Sequence, residues 1–123
     1  MVLVDTSVWI RFLANQSPFA ARLDRLLGQG EVWGHDFVYG ELLIGDRGGR
    51  REFLADYALI HQAPIATHRE VVEFARDRRL HGRGIGWIDA HLLASALIGN
   101  LALRTADSRL AALAGELDVA YEA

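Results

Sequence analysis

The segment MVLVDTSVWI, residues 1–10, joins an unbroken apolar run to an acid and two hydroxyls. Residues 1–4 carry no polar side chain, as a strand buried on both faces of a parallel sheet requires. Residues 6–13 read as a short helix with Trp9, Phe12 and Leu13 inward. Asp5 therefore stands at the carboxyl end of a strand. In open α/β sheets that is where ligands bind, at the point where strand order reverses.

Outward from this segment, short apolar runs alternate with helical patterns, which predicts βαβ units around a parallel sheet. Ser17 and Pro18 read as a cap and first-turn proline for a helix burying Phe19, Leu23, Leu26 and Leu27. Residues 31–34 read as a second strand, 35–45 as a helix, and 51–58 as another after the Gly48–Gly49 break. Residues 58–65 are ambiguous, and Pro64 places any strand there at an edge. Thr67 and Glu70 form a capping box for a helix running to about His81. After a loop with Gly82, Gly84 and Gly86, residues 87–98 make a nearly all-apolar central helix. Residues 101–104 read as a strand, 108–116 as a helix and 119–121 as a last short strand. The expectation is a three-layer α/β/α fold, with a four- or five-stranded, mainly parallel sheet and helices on both faces.

Composition narrows the chemistry. The chain has 123 residues, 51% of them apolar and 24% charged, the balance of an ordinary globular domain. Without cysteine there are no disulfides, thiolate metal sites or cysteine nucleophiles. All 13 basic residues are arginine, so a phosphate-loop lysine, Schiff-base chemistry and a kinase lysine are excluded. The net charge of −3 does not point to a plain electrostatic nucleic-acid binder. Were four acids to hold metal, 13 basic residues would face 12 acidic ones, so the global sign does not decide the partner. The first residues lack a basic leader, and the longest uncharged stretch, residues 90–103, falls short of the about 20 needed to span a bilayer. A soluble, cytoplasmic protein with no membrane partner is expected.

Four acids stand out. Asp5 and Asp107 each follow a strand, a position that suits a ligand site and equally suits an N-cap. Glu41, at about 100° per residue, shares a helix face with Phe37, Val38 and Ile44, which places a carboxylate on an apolar stripe. A salt bridge to an arginine, or a slight rotation that lets Glu41 reach solvent, is the structural alternative there. Asp89 opens the most apolar helix, where the positive helix end alone would favour it. Four acids meeting at one sheet end would repel and raise one another's pKa values. A divalent cation removes that penalty, and an oxygen-only set suits Mg²⁺ or Mn²⁺. Such a cluster suits phosphoester chemistry.

At these residues the chain resembles the PIN-domain nucleases, most closely the VapC toxins of toxin–antitoxin pairs. MVLVDTSVWI resembles the first family motif, with Asp5 leading and the hydroxyls of Thr6 and Ser7 following. HDFVYGELLIG is similar to the second and contributes Glu41. GIGWIDAHLLASAL resembles the third and contributes Asp89, and LALRTADSRLAAL the fourth, with Thr105 and Asp107. Asp36 departs from the apolar residue or proline common in relatives, and residues 48–83 match no motif. The resemblance implies a single PIN domain over residues 1–123. It also implies a Mg²⁺- or Mn²⁺-dependent endoribonuclease, a cognate antitoxin and a homodimer. Asp5, Glu41, Asp89 and Asp107 would form the catalytic and metal-binding set, with Glu41 completing it or orienting the nucleophile. Ser7 and Thr105 would hold ligands or waters in place, and cleavage would leave a 5′-phosphate and a 3′-hydroxyl.

Other features carry less. Arg76, Arg78, Arg79 and Arg83 with His81, and Arg47, Arg50 and Arg51, are two candidate RNA-contacting patches or simply solvated surface. Trp9, Trp33, Trp87 and Phe37 read as core. GRGIGW follows a helix and lacks the third glycine of a dinucleotide fingerprint. A phosphorylated receiver domain shares the size and acidic pocket but needs a lysine. A catalytically silent binding module would leave buried acids idle, and a DNA-directed or flap-type nuclease is the alternative within the same fold.

Overall fold

The computed structural model describes residues 1–122. Its centre is strand β1 (Val2–Val4), every residue of which is buried. Strand β2 (Val32–Trp33) and strand β3 (Ala102–Arg104) pair with it in parallel on either side, giving the order β2-β1-β3. The chain leaves β1 for one neighbour and then crosses to the other, so strand order reverses at β1. The carboxyl ends of β1 and β3 flank that reversal, with Val4 beside Arg104.

Seven helices complete the described chain: α1 (Thr6–Leu13), α2 (Phe19–Gly28), α3 (Asp36–Ile44), α4 (Arg51–Tyr57), α5 (His68–Asp77), α6 (Trp87–Gly99) and α7 (Ser108–Glu116). They flank the sheet in a three-layer α/β/α arrangement. Leu3 and Val4 of β1, Trp9 of α1, Leu92 and Leu93 of α6, Leu103 of β3, and Leu110 and Leu113 of α7 are almost wholly buried. Trp9 anchors the α1 side, meeting Phe12, Phe53 and Tyr57 edge-on at 5.6, 5.4 and 5.4 Å between ring centres. No helix among the described residues is long and apolar enough to cross a membrane.

The sheet has three strands where four or five are expected. The two missing edges are present only as single parallel bridges, Gly34 to Gln62 and Leu103 to Ala120. On the first edge Ala63 donates to Gly34 O at 2.7 Å, and the next residue, Pro64, has no N–H to extend the ladder. The chains approach closely there: a Cβ at Gly34 would lie 2.6 Å from the end of the Gln62 side chain, which would have to move, and 3.0 Å from the Tyr57 ring. Helix ends also differ from expectation. Ser17 does not cap α2, which starts at Phe19 without a side-chain cap; the carbonyl of Gln16 accepts from Ala20 N at 3.0 Å instead. The Thr67–Glu70 capping box forms as expected, but α5 stops at Asp77, and Arg79 turns left-handed at φ 55°.

Candidate active site

Asp5 lies at the end of β1 and is 4% exposed. Burial disfavours its charge and raises its pKa, against the pull of the hydrogen bonds it accepts. Ser7 Oγ donates to Oδ1 at 2.6 Å, Val8 N donates to the same oxygen at 3.2 Å, and Thr105 Oγ1 donates to Oδ2. The two hydroxyls are themselves fixed. Ser7 Oγ accepts from Ala106 N at 3.0 Å, and Thr105 Oγ1 accepts from Asp107 N at 3.0 Å. The start of α1 and the turn after β3 are thereby stitched together around one carboxylate.

Asp107 caps α7, accepting from Arg109 N and Leu110 N at 2.8 and 3.3 Å through Oδ1 alone. Capping and a place in the site are therefore not alternatives. Both cap bonds use one oxygen, and the residue sits where β3 delivers it. Asp5 is likewise an N-cap, of α1 through Oδ1, but both of its oxygens accept hydrogen bonds.

Asp89, in the first turn of α6, accepts from Gly86 N at 3.2 Å. Burial is the largest cause of its raised pKa; the Gly86 bond opposes it, and the charges of Asp5, Asp107 and Glu41 raise it further. All three other candidate acids thus lie close enough to be felt at Asp89. Yet no three His, Asp or Glu side chains among the described residues close on one point as a ready-made ion cage. The acids share an electrostatic bowl with space between its walls.

At Glu41 the solvent-facing alternative holds and the apolar-stripe placement does not. The residue is exposed, not buried on an apolar stripe. Helix α3 buries Val38 and Leu42 and leaves Ile44 87% exposed, so the face carrying Glu41 looks outward. Thr6 Oγ1 holds it, donating to Oε1 at 2.6 Å. That role for Thr6 was not legible in the chain, although the run Asp5-Thr6-Ser7 offered the hydroxyl. Beside Glu41, residues Phe37, Gly40, Ile44, Trp87 and Ile88 line an open recess of about 680 Å³. Trp87 is 42% exposed there and is not core, and Phe37 is only half-buried.

One buried polar pair has no counterpart in the sequence reading. His35 caps α3, accepting from Phe37 N through Nδ1 at 3.0 Å, and its Nε2 lies 3.0 Å from Ser95 Oγ of α6. It ties the helix bearing Glu41 to the helix bearing Asp89. Since Nδ1 accepts, the ring is neutral with its proton on Nε2, and burial pushes its pKa down to about 4.

Neither candidate arginine patch is wholly free. Arg83 forms a two-pronged ion pair with Glu116, and Arg50 donates to Leu42 O at 2.9 Å.

A family model, the PIN domain, matches residues 2–116. The chain belongs to the PIN domain family. Among its relatives is Ribonuclease VapC32 of Mycobacterium tuberculosis, from strain CDC 1551 / Oshkosh and from strain ATCC 25618 / H37Rv. Each is 46% identical over 121 residues, covering 98% of this chain and 95% of the relative. That likeness over nearly full length places the chain among the VapC members of the PIN domain family. The match spans β1 through α7, so all four acids fall inside the PIN domain.

Proposed function

We propose that this chain is a divalent-metal-dependent endoribonuclease, the toxin of a VapBC-type pair, with residues 1–123 acting as one PIN domain. One observation carries the reading: the hydroxyls of Thr6, Ser7 and Thr105 draw Glu41, Asp5 and the backbone of Asp107 together at the carboxyl end of the sheet, near enough for the three carboxylates to add to burial in raising the pKa of Asp89. The near-full-length likeness to proteins named Ribonuclease VapC32 supports RNA as substrate.

The donors fit Mg²⁺, with Mn²⁺ as an alternative. They are oxygens only, they repel one another, and they stand apart, as suits an ion that keeps several of its waters. Asp5, Asp89 and Asp107 would hold the cation and Glu41 would complete the set. Such an ion supplies charge neutralisation at the phosphate and a lowered pKa for water. The protein's own part is positional. Ser7 and Thr105 fix both oxygens of Asp5, Asp107 is fixed by its cap bonds, and the exposed Glu41 orients the attacking water and takes its proton. A cognate antitoxin, a homodimeric state and a cytoplasmic setting belong to the same reading.

The test is purified protein with matched single-stranded RNA and DNA, first in EDTA and then with Mg²⁺ or Mn²⁺ restored. RNA should survive in EDTA, be cut on adding either ion and carry a 5′-phosphate. Undiminished cutting in EDTA would remove the metal from the proposal, and cutting of DNA alone would replace the substrate.

A further inference from the structure

Four arginines far apart in the sequence gather around Phe19 and Tyr121, and two of them, Arg104 and Arg11, adjoin the acidic site. Arg104 ends β3, and its carbonyl accepts from Asp5 N at 3.0 Å. Its guanidinium lies 5.0 Å from the Phe19 ring centre and 4.7 Å from that of Tyr121. Arg11 reaches the same Phe19 ring at 5.5 Å and donates to Ser7 O at 2.9 Å. The charge of Arg22 is felt at Arg104. Arg22 and Arg25 line a recess of about 490 Å³ with Gln29 and Tyr121, and Glu31 and Glu122 also border it.

None of these four arginines forms an ion pair among the described residues; the two pairs there join Arg69 to Glu73 and Arg83 to Glu116. Glu31 and Glu122 border the recess without closing on any of the four guanidinium groups. Stacking on aromatic rings holds a guanidinium plane in place while leaving its N–H edges to donate, the geometry that suits phosphate oxygens. The rings already carry arginine, so they are not platforms for bases. A chain of net charge −3 with four acids at its site repels a polyanion unless cations are supplied locally. The arginines begin one residue from Thr105 and extend outward through Tyr121 to Arg22 and Arg25, which suits successive phosphates of one strand.

We infer that Arg11 and Arg104, braced on Phe19 and Tyr121, form with Arg22 and Arg25 a track that binds the phosphate backbone of single-stranded RNA beside the bond to be cut. This rests on the ribonuclease reading above. The test measures affinity of the full chain for a fluorescein-labelled single-stranded RNA oligonucleotide in EDTA, across a salt series. The R22Q/R104Q variant should lose about tenfold or more in affinity at low salt. The slope of log affinity against log salt should flatten by about 1.4, at about 0.7 for each phosphate no longer neutralised. R69Q should match the wild type. If R22Q/R104Q does not fold, R22Q/R25Q changes only exposed side chains and should flatten the slope similarly. Unchanged affinity and slope would overturn the track. So would variants that bind RNA normally but escape an acidic protein inhibitor, since the surface would then dock protein. Cutting is read separately, with Mg²⁺. Wild-type protein that cuts RNA while the track variants keep full affinity overturns the track alone, and wild-type protein that neither binds nor cuts RNA overturns both.

Discussion

Asp5 and Glu41 are carboxylates of one bowl held in opposite ways. Asp5 is 4% exposed and takes three hydrogen bonds, from Ser7, Val8 and Thr105. Glu41 is exposed and takes a single one, from Thr6. The first sits where the central strand ends; the second projects from a helix that borders an open recess. The difference separates two tasks. The strand-end half sets a fixed geometry at the cost of burying charge, whereas the helix half leaves an acid free to adapt to water and substrate.

The sharpest way to break this contrast is Asp5→Asn. Loss of a charged oxygen ligand removes several kcal/mol of transition-state stabilisation, so RNA cleavage should fall by about 10³-fold. Folding should survive, because the substitution also removes a charge that burial disfavours. Asp5→Glu should be almost as damaging, since one extra methylene displaces the carboxylate from both hydroxyls. Cleavage assays with thermal melts separate activity from stability, and an active Asp5→Asn would dissolve the distinction between the halves.

His35 allows the helix half to be loosened by itself. Its pKa falls from the ordinary 6.5 to about 4, so between those values the unfolded chain binds the proton that the folded chain refuses. Its contribution is present in full above pH 6.5 and is lost progressively as pH falls towards 4, about 3 kcal/mol in all. Asp5 and Asp89 act with the opposite sign: burial raises their pKa values, so the folded chain holds their protons more tightly as pH falls. Comparing wild type with His35→Asn, which keeps a capping side chain, isolates the histidine. The wild type should lose more stability between pH 6.5 and 4, with hydrogen exchange rising first in α3. Equal slopes would mean that His35 is not kept neutral.

The sequence announces the strand-end half much more clearly than the helix half. An apolar run ending in Asp5, and a second ending before Asp107, place both acids by strand geometry alone. Helix α3 is apolar on nearly every side, so its pattern does not say which stripe meets the core and points Glu41 to the wrong surroundings. Trp87 misleads for the same reason, on a helix whose apolar residues continue past the part that is buried. The outer strands are legible in place but not in extent: residues 58–65 and 119–121 each make a single bridge, too short for any period to register. The arginine cluster and the His35–Ser95 pair depend on residues far apart in sequence, which only the folded chain brings together.

Thr105→Val tests how much the fixed geometry contributes. It removes one hydroxyl from Asp5 and the acceptor for Asp107 N while leaving every carboxylate in place. Losses of about 10–100-fold in activity or metal affinity are expected when such a supporting group goes. Calorimetric Mg²⁺ titration beside the cleavage assay would show both. Unchanged values would make the hydroxyl network a folding device only.

Glu41→Asp should give the smallest change. Shortening the side chain by one methylene breaks a single hydrogen bond at an exposed position, and the open recess leaves room for the carboxylate to find a new approach. Activity should fall by less than about tenfold, far short of the loss in Asp5→Glu, although both substitutions move a carboxylate by the same increment. Thr6→Val removes the same bond from the other side and should fall in the same range. If Glu41→Asp instead matched Asp5→Glu, the exposed acid would be held as tightly in the reacting complex as the buried one, and closure of the α3–α6 recess around substrate would have to supply the missing constraint.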